Sequence, residues 1–515
     1  MSKGLFWKKV IPAVKNDVLY TVVATVLFVC ATLVTKRLHL VPTNGLSVIL
    51  YLLPLLVLLV QQANKALNDK TKEPVNRHWI LLAVSAIMFG SGFIVNADPH
   101  FSDTVVMLLI YSFGEIITKA TLTIVQNPLH GKRGHTPVIT ERDGIEEKMK
   151  PELLKTGDIV TIKRGETVPT DGYIREGSTT FTSVTDRNVT KTFNCGDMVY
   201  AGYLNKGETV KIEVSREFSE SSTAIIIDAT YNNEWPKAVE TAKVISKHLI
   251  LLTLPLALLT SIAIPMMAQW FLLAFPRWLY RALLLVAIAS TDTIAFSLPI
   301  AVAGTFARLL RNDIVINRYK LLDKLPKIRS IVFDADLLGE ATLTPDDVKE
   351  MRRAGIKHIT MMSSGSEEET KTTAKALDLR DYHYEMQHDD KSKLIKRLYR
   401  SKRKGSYLAA IGNGTSDRTL LQLANIRIAM TQPDNSTAIE SNDVSVINGK
   451  FDGISTAIKN SKKVKHINMF NLCIAVASKV ILLALAFLGM APVWALAAAD
   501  VAILLATSLN ALRTL

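Results

Sequence analysis

The stretch Ile328-Arg-Ser-Ile-Val-Phe-Asp334-Ala-Asp336-Leu-Leu-Gly-Glu-Ala-Thr-Leu-Thr-Pro345 predicts the fold of the largest polar segment of this chain. Ile331, Val332 and Phe333 form a short apolar run that is typical of a buried β-strand. The run ends on Asp334, so the strand places a carboxylate at its carboxyl end. Open α/β sheets bind their ligands at that edge, which makes Asp334 a candidate functional residue.

The segments that follow repeat this pattern of strand, polar turn and helix. Residues 346–354 predict a helix, residues 356–362 predict a second strand that runs into Ser363, and residues 407–411 predict a third strand. The third strand ends on a glycine-rich turn at residues 412–417. Strands that alternate with helices in this way predict a doubly wound α/β domain.

Long apolar segments make up much of the remaining chain. Of its 515 residues 48% are hydrophobic, and a run of about 20 apolar residues is long enough to cross a bilayer as a helix. We expect about eight membrane-spanning helices, in the apolar runs 17–36, 45–62, 78–96, 103–126, 248–268, 278–307, 467–488 and 491–510. The basic segment before the first run has no small-residue cleavage pattern, so the first helix is expected to be retained.

Basic residues indicate how the chain is oriented in the membrane. Four of them lie between residues 65 and 77, whereas residues 96–103 and 489–492 contain no Lys or Arg. Because positively charged loops stay in the cytoplasm, the polar segments 127–247 and 308–466 are expected inside the cell. This bias accounts for most of the formal charge of +14, and no nucleic-acid partner is expected.

The first polar segment, residues 127–247, alternates apolar and polar residues between glycine turns, which predicts an all-β module. From the apolar runs and the two polar segments together, we expect a polytopic α-helical membrane protein. It would carry a cytoplasmic all-β domain and a cytoplasmic α/β domain.

The Phe-Asp pair ending at Asp334, the following Thr-Leu-Thr and the Gly-x-Gly-x-x-Asp turn resemble the P-type ATPases of the haloacid-dehalogenase superfamily. In those pumps the aspartate of Asp-Lys-Thr-Gly-Thr is phosphorylated by ATP. This chain keeps the aspartate but has Ala335-Asp336-Leu-Leu in place of Lys-Thr-Gly-Thr. The resemblance therefore implies a pump with an altered phosphorylation motif.

The same resemblance implies a set of catalytic residues around Asp334. Ser363 matches the threonine of the second motif, Lys391 matches the lysine that balances phosphate charge, and Asp417 matches the last aspartate of Gly-Asp-Gly-x-Asn-Asp. Mg²⁺ is expected at the Asp334/Asp417 site, where Asn413 replaces a magnesium-binding aspartate.

The membrane helices resemble the zinc/cadmium/lead branch of the heavy-metal pumps, which has a lysine in the seventh helix and a metal-binding aspartate in the eighth. Lys479 and Asp500 match these residues, and Ser290 and Asp292 stand where the branch has Cys-Pro-Cys. The resemblance thus implies a site for a zinc- or iron-like divalent cation. A structural Lys479–Asp500 ion pair without a bound ion is the alternative.

Glu115 lies within an apolar helix and matches the first glutamate of Gly-Glu-x-x-Glu, which those pumps link to ion release. It is the last candidate of the metal-binding set. The alternative is a simple ion pair with Lys119, one helical turn further along.

Two parts of the pump machinery are missing from the sequence. Gly157-Asp158-Ile-Val and Val168-Pro-Thr-Asp-Gly172 resemble the actuator domain, but its catalytic Thr-Gly-Glu loop is replaced by residues 183–188, where Asp186 is the carboxylate. Only residues 335–345 separate Asp334 from the next helix, where the pumps insert a nucleotide-binding domain. No ATP site is evident, since so short a segment cannot form a domain.

Five regions are expected: 1–126 (helices 1–4), 127–247 (actuator-like), 248–310 (helices 5–6), 311–465 (phosphorylation-type, haloacid-dehalogenase-like, without nucleotide insertion) and 466–515 (helices 7–8). The preferred hypothesis is a degenerate heavy-metal pump in a bacterial-type cytoplasmic membrane. It would bind or conduct a divalent cation, or regulate a protein partner.

Three alternatives remain open. Asp334 and Asp336 recreate the Asp-x-Asp pair of haloacid-dehalogenase phosphatases, in which the second aspartate is the general acid/base. A protein partner could instead supply nucleotide binding in trans. The chain could also be a purely structural or interaction protein.

Overall fold

The computed structural model of the chain describes every residue except 1–2, 69–75, 95–98, 131–136, 143–144, 183–189, 218–234, 268–270, 292, 340–342, 415–416, 432–435 and 448. The chain divides into two compact units. The first unit comprises Met1–Val125, Ala238–Ala301 and Ile467–Arg513, and the second comprises Gln126–Lys237, Val302–His466 and Thr514–Leu515.

The secondary structure alternates between long apolar helices and two segments that contain the strands. The α-helices are α1 (Lys3–Arg37), α2 (Gly45–Asn68), α3 (Arg77–Ser91), α4 (Phe101–His130), α5 (Lys237–Met267), α6 (Phe271–Ser290), α7 (Thr293–Arg311), α8 (Leu321–Lys324), α9 (Pro345–Arg353), α10 (Glu367–Ala376), α11 (His388–Ser401), α12 (Arg418–Leu421), α13 (Ser436–Ser441), α14 (Asp452–Leu488) and α15 (Val493–Ala511). The strands are β1 (Val138–Arg142), β2 (Ile145–Met149), β3 (Ile159–Ile162), β4 (Gly172–Glu176), β5 (Thr179–Thr182), β6 (Thr190–Phe193), β7 (Met198–Val199), β8 (Leu204–Asn205), β9 (Val210–Val214), β10 (Ile314–Ile316), β11 (Ile328–Asp334), β12 (His358–Met362), β13 (Asp381–His383), β14 (Tyr407–Gly412), β15 (Ile426–Thr431) and β16 (Val444–Ile447).

The apolar helices provide the membrane-spanning part of the chain. Among the described residues, seven helical segments are long and apolar enough to cross a membrane: Val14–Arg37, Gly45–Asn68, Phe101–Thr123, Lys237–Met267, Leu273–Arg311, Asp452–Leu488 and Val493–Thr514. Leucines on their outer faces, such as Leu252 and Leu258, are exposed, whereas Leu58 and Leu284 are fully buried between helices. Exposed apolar side chains on these helices are suited to contact with lipid.

The remaining expected span, 78–96, corresponds to the shorter helix α3. With 15 residues, it is about 22 Å long at the usual helical rise, less than the roughly 30 Å of a hydrocarbon core. The helix ends at Gly92, whose N–H donates to the Phe89 carbonyl at 3.2 Å. A Cβ on Gly92 would lie 2.7 Å from the Phe101 ring, so glycine lets that ring pack against the helix end. Among the described residues, the count of long spans is therefore seven rather than the expected eight or so.

The expected single span at 278–307 is interrupted. α6 ends at Ser290 and α7 begins at Thr293, so the helix is broken at the residues that match the Cys-Pro-Cys position. Broken helices within a bundle expose backbone and side-chain oxygens, which is where membrane proteins commonly bind ions.

The first segment of strands forms two antiparallel sheets, which confirms the predicted all-β module. Six strands pair in the order β2-β1-β3-β9-β4-β7, and three pair in the order β6-β5-β8. Ile162, Val168, Phe181, Val199 and Val210 are among the buried residues of its core. Because successive side chains of a strand point to opposite faces, the buried side chains of each strand form its apolar face.

The motif residues of this module have structural roles. Asp158 accepts hydrogen bonds from Arg142, with Nε at 2.8 Å, and from the Lys155 N–H at 2.8 Å. Asp171 accepts from the Ala201 N–H at 2.8 Å. A Cβ on Gly172 would lie 2.4 Å from the Glu213 carbonyl oxygen, so only glycine allows β4 to approach β9 this closely.

The second segment of strands forms the predicted α/β domain. Its seven strands follow the order β10-β16-β15-β14-β11-β12-β13, and all neighbours except β10 and β16 are parallel. β11 lies between β14 and β12, with Asp334 opposite Met362 in the register. Thr344 begins α9 as an N-cap that forms a capping box with Asp347.

Candidate functional site

Asp334 ends the strand β11 near the middle of the α/β sheet. Its neighbours β12 and β14 run parallel to it, so the segments after Met362 and after Ile411 emerge at the same edge as Asp334. Asp334 is buried, with 5% of its surface exposed. A buried carboxylate at this edge needs a positively charged or hydrogen-bonding partner.

Lys391 is that partner. It lies in the first turn of α11, and its ammonium contacts Asp334 Oδ2 and donates to Ser364 Oγ at 2.8 Å. The side chains of Lys391 and Asp334 are both almost completely buried. The Ser364 hydroxyl is therefore a contact of the site that the sequence analysis missed. The predicted residue, Ser363, uses its hydroxyl to accept a hydrogen bond from the Gly365 N–H at 3.0 Å.

The environment of Asp334 favours the neutral form of its carboxyl group more strongly than solvent favours that form of an exposed aspartate. Burial raises the pKa of Asp334, and the ammonium of Lys391 only partly opposes that shift. Asp336 donates its backbone N–H to Asp334 Oδ1 at 3.3 Å. The Asp336 carboxylate lies 3.7 Å from Lys391 Nζ, yet 71% of that side chain is exposed. Asp336 is thus close to the lysine of the site while most of its carboxylate side chain faces solvent.

Asp417 follows the end of β14, the strand beside β11. Its Oδ2 accepts the Asn413 N–H at 3.2 Å, and a Cβ on Gly412 would meet the same carboxylate at 2.8 Å. No group of three or more His, Cys, Asp or Glu side chains with metal-binding geometry occurs in the described part of the chain. The oxygen donors of Asp334 and Asp417 match the preference of Mg²⁺, which takes one or two protein carboxylates and keeps several waters.

In the membrane unit Lys479 and Asp500 form a buried ion pair. Lys479 Nζ donates to both carboxylate oxygens of Asp500 at 2.9 Å, and each side chain is 1% exposed. Thr291 Oγ1 donates to Asp500 Oδ2 at 2.5 Å, and Thr293 Oγ1 donates to Oδ1 at 2.9 Å. The broken helix between α6 and α7 thus supplies two hydroxyls to the same carboxylate.

A small cavity of about 40 Å³ borders this pair, lined among others by Ser290, Thr291, Thr293 and Asp500. This volume holds at least one water-sized particle, since a single water needs roughly 10–15 Å³ on this measure. Ser290 Oγ donates to the Ala287 carbonyl of its own helix at 2.8 Å. Asp292 lies outside the described residues.

Glu115 pairs with Lys65 and not with Lys119, the alternative partner considered from the sequence. Its carboxylate contacts the ammonium of Lys65 on α2, whereas Lys119 donates to Asp17 Oδ2 at 3.0 Å. Lys65 also lies 3.6 Å from Asp17 Oδ1. The alternative Glu115–Lys119 pair is therefore not formed, because α2 presents Lys65 to Glu115 and α1 presents Asp17 to Lys119.

Comparison with known proteins shows which families the chain is similar to. Residues 133–231 match the family model of the P-type ATPase actuator domain. The chain is 23% identical to the "Zinc-transporting ATPase" of Synechocystis sp., over 72% of this chain and 68% of that protein. It is 21% identical to the "Cadmium, zinc and cobalt-transporting ATPase" of Helicobacter felis, over 87% of this chain and 81% of that protein. The chain thus contains a P-type ATPase actuator domain and is similar in sequence to heavy-metal-transporting P-type ATPases.

Two further similarities cover most of the chain. A "Cadmium, zinc and cobalt-transporting ATPase" of Bacillus subtilis is 20% identical over 88% of this chain and 80% of that protein. The crystal structure of a zinc-transporting PIB-type ATPase in the E2.Pi state matches with a TM-score of 0.49 and 17% identity, over 97% of this chain and 99% of that chain. Together with its apolar helices, the relationship identifies a multi-pass membrane protein with cytoplasmic soluble domains.

Residues 183–188, which include Asp186, lie outside the described residues. The predicted phosphorylation-site residues Asp334, Asp336 and Lys391 are brought together, and Asp417 lies at the end of the adjacent strand. The predicted membrane residues divide into two places: Lys479 and Asp500 form one cluster, and Glu115 pairs with Lys65.

Proposed function

We propose that the chain is a degenerate pump that binds a divalent transition-metal cation beside Asp500 and does not run an ATP-driven cycle of its own. The observation that carries this proposal is the short connection from β11 to α9. Only residues 335–344 separate the end of the strand at Asp334 from the start of the helix at Pro345. Ten residues cannot build a pocket for an adenine nucleotide.

The phosphorylation-type site supports the same proposal. Asp334 keeps its lysine partner, so its carboxylate is positioned as a nucleophile would be. The lysine that would balance the charge of a phosphate is present, but the Thr-Gly-Thr of the phosphorylation motif in active pumps is replaced by Asp336, Leu337 and Leu338. In this scheme Asp334 and Asp417 would hold Mg²⁺.

The side chains around Asp500 determine how a cation could bind there. The Asp500 carboxylate accepts two hydrogen bonds from Lys479, one from Thr291 and one from Thr293. A divalent cation in the adjoining cavity must therefore displace the Lys479 ammonium or share the carboxylate with it. Since Thr and Asp offer oxygen donors, a borderline or hard cation is favoured over a soft one. The curated relatives are described as transporting zinc, cadmium or cobalt, which supports a divalent cation.

The decisive experiment measures phosphoenzyme formation by the purified full chain. The protein is supplied separately with radiolabelled ATP and acetyl phosphate in the presence of Mg²⁺, and Asp334→Asn serves as the control. We expect no acid-stable label from ATP. Label from ATP that disappears in Asp334→Asn would overturn the proposal.

Zn²⁺ binding by equilibrium dialysis tests the cation part of the proposal. Asp500→Asn is expected to abolish binding, and Lys479→Met is expected to strengthen it by removing the competing ammonium. Asp103→Asn, on a helix of the same membrane unit, is the control that should leave binding unchanged. Zn²⁺ binding that is equal in all four proteins would contradict a site at Asp500.

A phosphatase is the second candidate, and one observation favours it. Both Asp334 and Asp336 lie beside Lys391, with Asp336 Oδ2 3.7 Å from its ammonium. An Asp-x-Asp pair around a lysine can provide a nucleophile and a general acid/base. Phosphomonoester hydrolysis that is lost in both Asp334→Asn and Asp336→Asn would establish this activity.

Nucleotide binding by a protein partner has its own signature in the phosphoenzyme assay. If label from ATP appears only after a cell extract is added, nucleotide binding is supplied in trans.

A further inference from the structure

A large cavity in the membrane unit opens among the helix ends near residues 65–77. It has a volume of about 570 Å³ and receives side chains from α1, α2, α3, α4, α5 and α7. Lys65 and Asn68 end α2, and Asn76 caps α3, so the cavity borders the loop that the basic residues place on the cytoplasmic side. We call it the basic cavity.

The charges that line the basic cavity are predominantly positive. Five cationic side chains, Lys65, Arg77, Lys119, Lys243 and Lys247, face two carboxylates. Asp17 and Glu115 are both engaged by lysines of the cavity, since Lys65 contacts Glu115 and Lys119 donates to Asp17 at 3.0 Å. The lining therefore carries an excess of positive charge, which attracts anions and repels divalent cations.

Apolar surface forms the other part of the lining. Leu122, Ile250, Phe296 and Pro299 contribute to it, and the guanidinium of Arg77 lies 5.0 Å from the centroid of the Phe296 ring. This cation–π contact marks the boundary between the charged and the apolar parts. A ligand that fills both parts needs an anionic group joined to a hydrocarbon portion.

Position and lining together identify such a ligand. Lys243 and Lys247 are exposed and lie one helical turn apart on α5, which runs from the cytoplasmic side into the membrane. Anionic phospholipids of the cytoplasmic leaflet carry their phosphate at this level and attract basic side chains. We propose that the basic cavity binds an anionic phospholipid, with its headgroup against Arg77, Lys243 and Lys247 and its first acyl carbons against Phe296 and Ile250. This site does not depend on cation binding at Asp500.

The test uses the full chain purified in a zwitterionic detergent and the short-chain lipid dihexanoyl phosphatidylglycerol. Its affinity is measured by titration and compared with dihexanoyl phosphatidylcholine, which has the same tails, and with glycerol 3-phosphate, which has no tails. We expect saturable binding of phosphatidylglycerol and weak binding of the other two. Equal affinity for glycerol 3-phosphate would show a site for a free phosphate instead and would overturn the lipid assignment.

A matched pair of variants locates the site. Lys243→Gln/Lys247→Gln is expected to weaken phosphatidylglycerol binding roughly thirtyfold, as expected for two basic groups near an anionic headgroup. Lys371→Gln/Lys375→Gln removes the same charge from two exposed residues four apart on α10 and should leave the affinity unchanged. Equal weakening by both double variants, or by neither, would refute the assignment to the basic cavity. Thermal unfolding of each variant verifies that it is folded.

Discussion

Lys479 donates to both carboxylate oxygens of Asp500 at 2.9 Å, although the two residues belong to different helices and neither exposes more than 1% of its surface. A buried ion pair of this kind contributes little net stability compared with an apolar pair, but removing one partner leaves an uncompensated charge. Its effect on stability is therefore strongly asymmetric between single and double substitutions.

Lys479→Met is expected to lower the free energy of unfolding by about 3–5 kcal/mol, because Asp500 would remain buried without its counterion. The double variant Lys479→Met/Asp500→Asn should recover most of that loss. Thermal unfolding in detergent measures both. A further expectation is that Zn²⁺ stabilises Lys479→Met more than the unmodified chain, because the metal can then replace the ammonium. Equal stabilisation of both would show that Lys479 does not compete for the carboxylate.

The two lysines near Glu115 are expected to differ in importance. Lys65 and Glu115 expose 17% and 23% of their side chains, whereas Lys119 exposes 54%. Lys65→Ala should lower the free energy of unfolding by about 1.5–3 kcal/mol, the usual range for a charged hydrogen bond. Lys119→Ala should lower it by less than about 1 kcal/mol, because more than half of the Lys119 side chain is exposed to solvent that screens its pair with Asp17. Thermal unfolding of the two variants side by side shows which substitution destabilises the chain more. A larger loss in Lys119→Ala would contradict the Glu115–Lys65 pairing.

Gly172→Ala is expected to destabilise the actuator domain. The new methyl group would lie 2.4 Å from the Glu213 carbonyl oxygen and 2.6 Å from Ile212 Cγ2, so β4 and β9 would have to separate. Overpacking of this kind costs about 1–3 kcal/mol. Gly45→Ala is the control, since nothing lies within 4 Å of the position of its Cβ. Limited proteolysis of the full chain should cut the actuator domain faster in Gly172→Ala only, and unchanged cleavage would contradict the close approach.

Asp158 gives the actuator domain a defined pH dependence. The hydrogen bond from Arg142 lowers the pKa of Asp158 in the folded chain. A carboxyl with a lowered pKa contributes stability that is fully present above its unfolded pKa, near 3.9, and is lost as the pH falls through the lower folded value. Asp158→Asn should therefore be less stable than the unmodified chain at pH 7, and the difference should shrink below about pH 4. A difference that stays constant over this range would exclude the charge of Asp158 as its source.

Local patterns predicted the α/β domain well. The strands predicted at 331–333, 356–362 and 407–411 correspond to β11, β12 and β14, and the helix predicted at 346–354 corresponds to α9. Apolar runs and turn residues determine such elements, and parallel pairing then brings their carboxyl ends to one edge. The proximity of Asp334 to Lys391 followed from the resemblance to the pumps, because Lys391 matches their phosphate-balancing lysine.

Contacts between distant helices were not predictable from the sequence. Glu115 could be assigned to Lys119 by helical spacing, but its partner Lys65 lies 50 residues earlier on another helix. In the same way, Thr291 and Thr293 bind Asp500 across more than 200 residues. Helical periodicity defines which side chains share a face, and it does not define which helix that face meets. Ser364 was missed for a simpler reason, because the resemblance pointed to its neighbour Ser363.

The connection between β11 and α9 has a consequence for engineering. β11 pairs with β12 and β14, and α9 begins with its own Thr344–Asp347 capping box, so both ends of the connection are held by contacts outside it. Lengthening a flexible loop costs only about 0.6 kcal/mol for each doubling of its length. The connection is thus a permissive grafting point, into which a separately folding nucleotide-binding module could be transplanted without disturbing the host sheet. Such a chimera would test directly whether Asp334 can accept a phosphoryl group when a nucleotide site is provided.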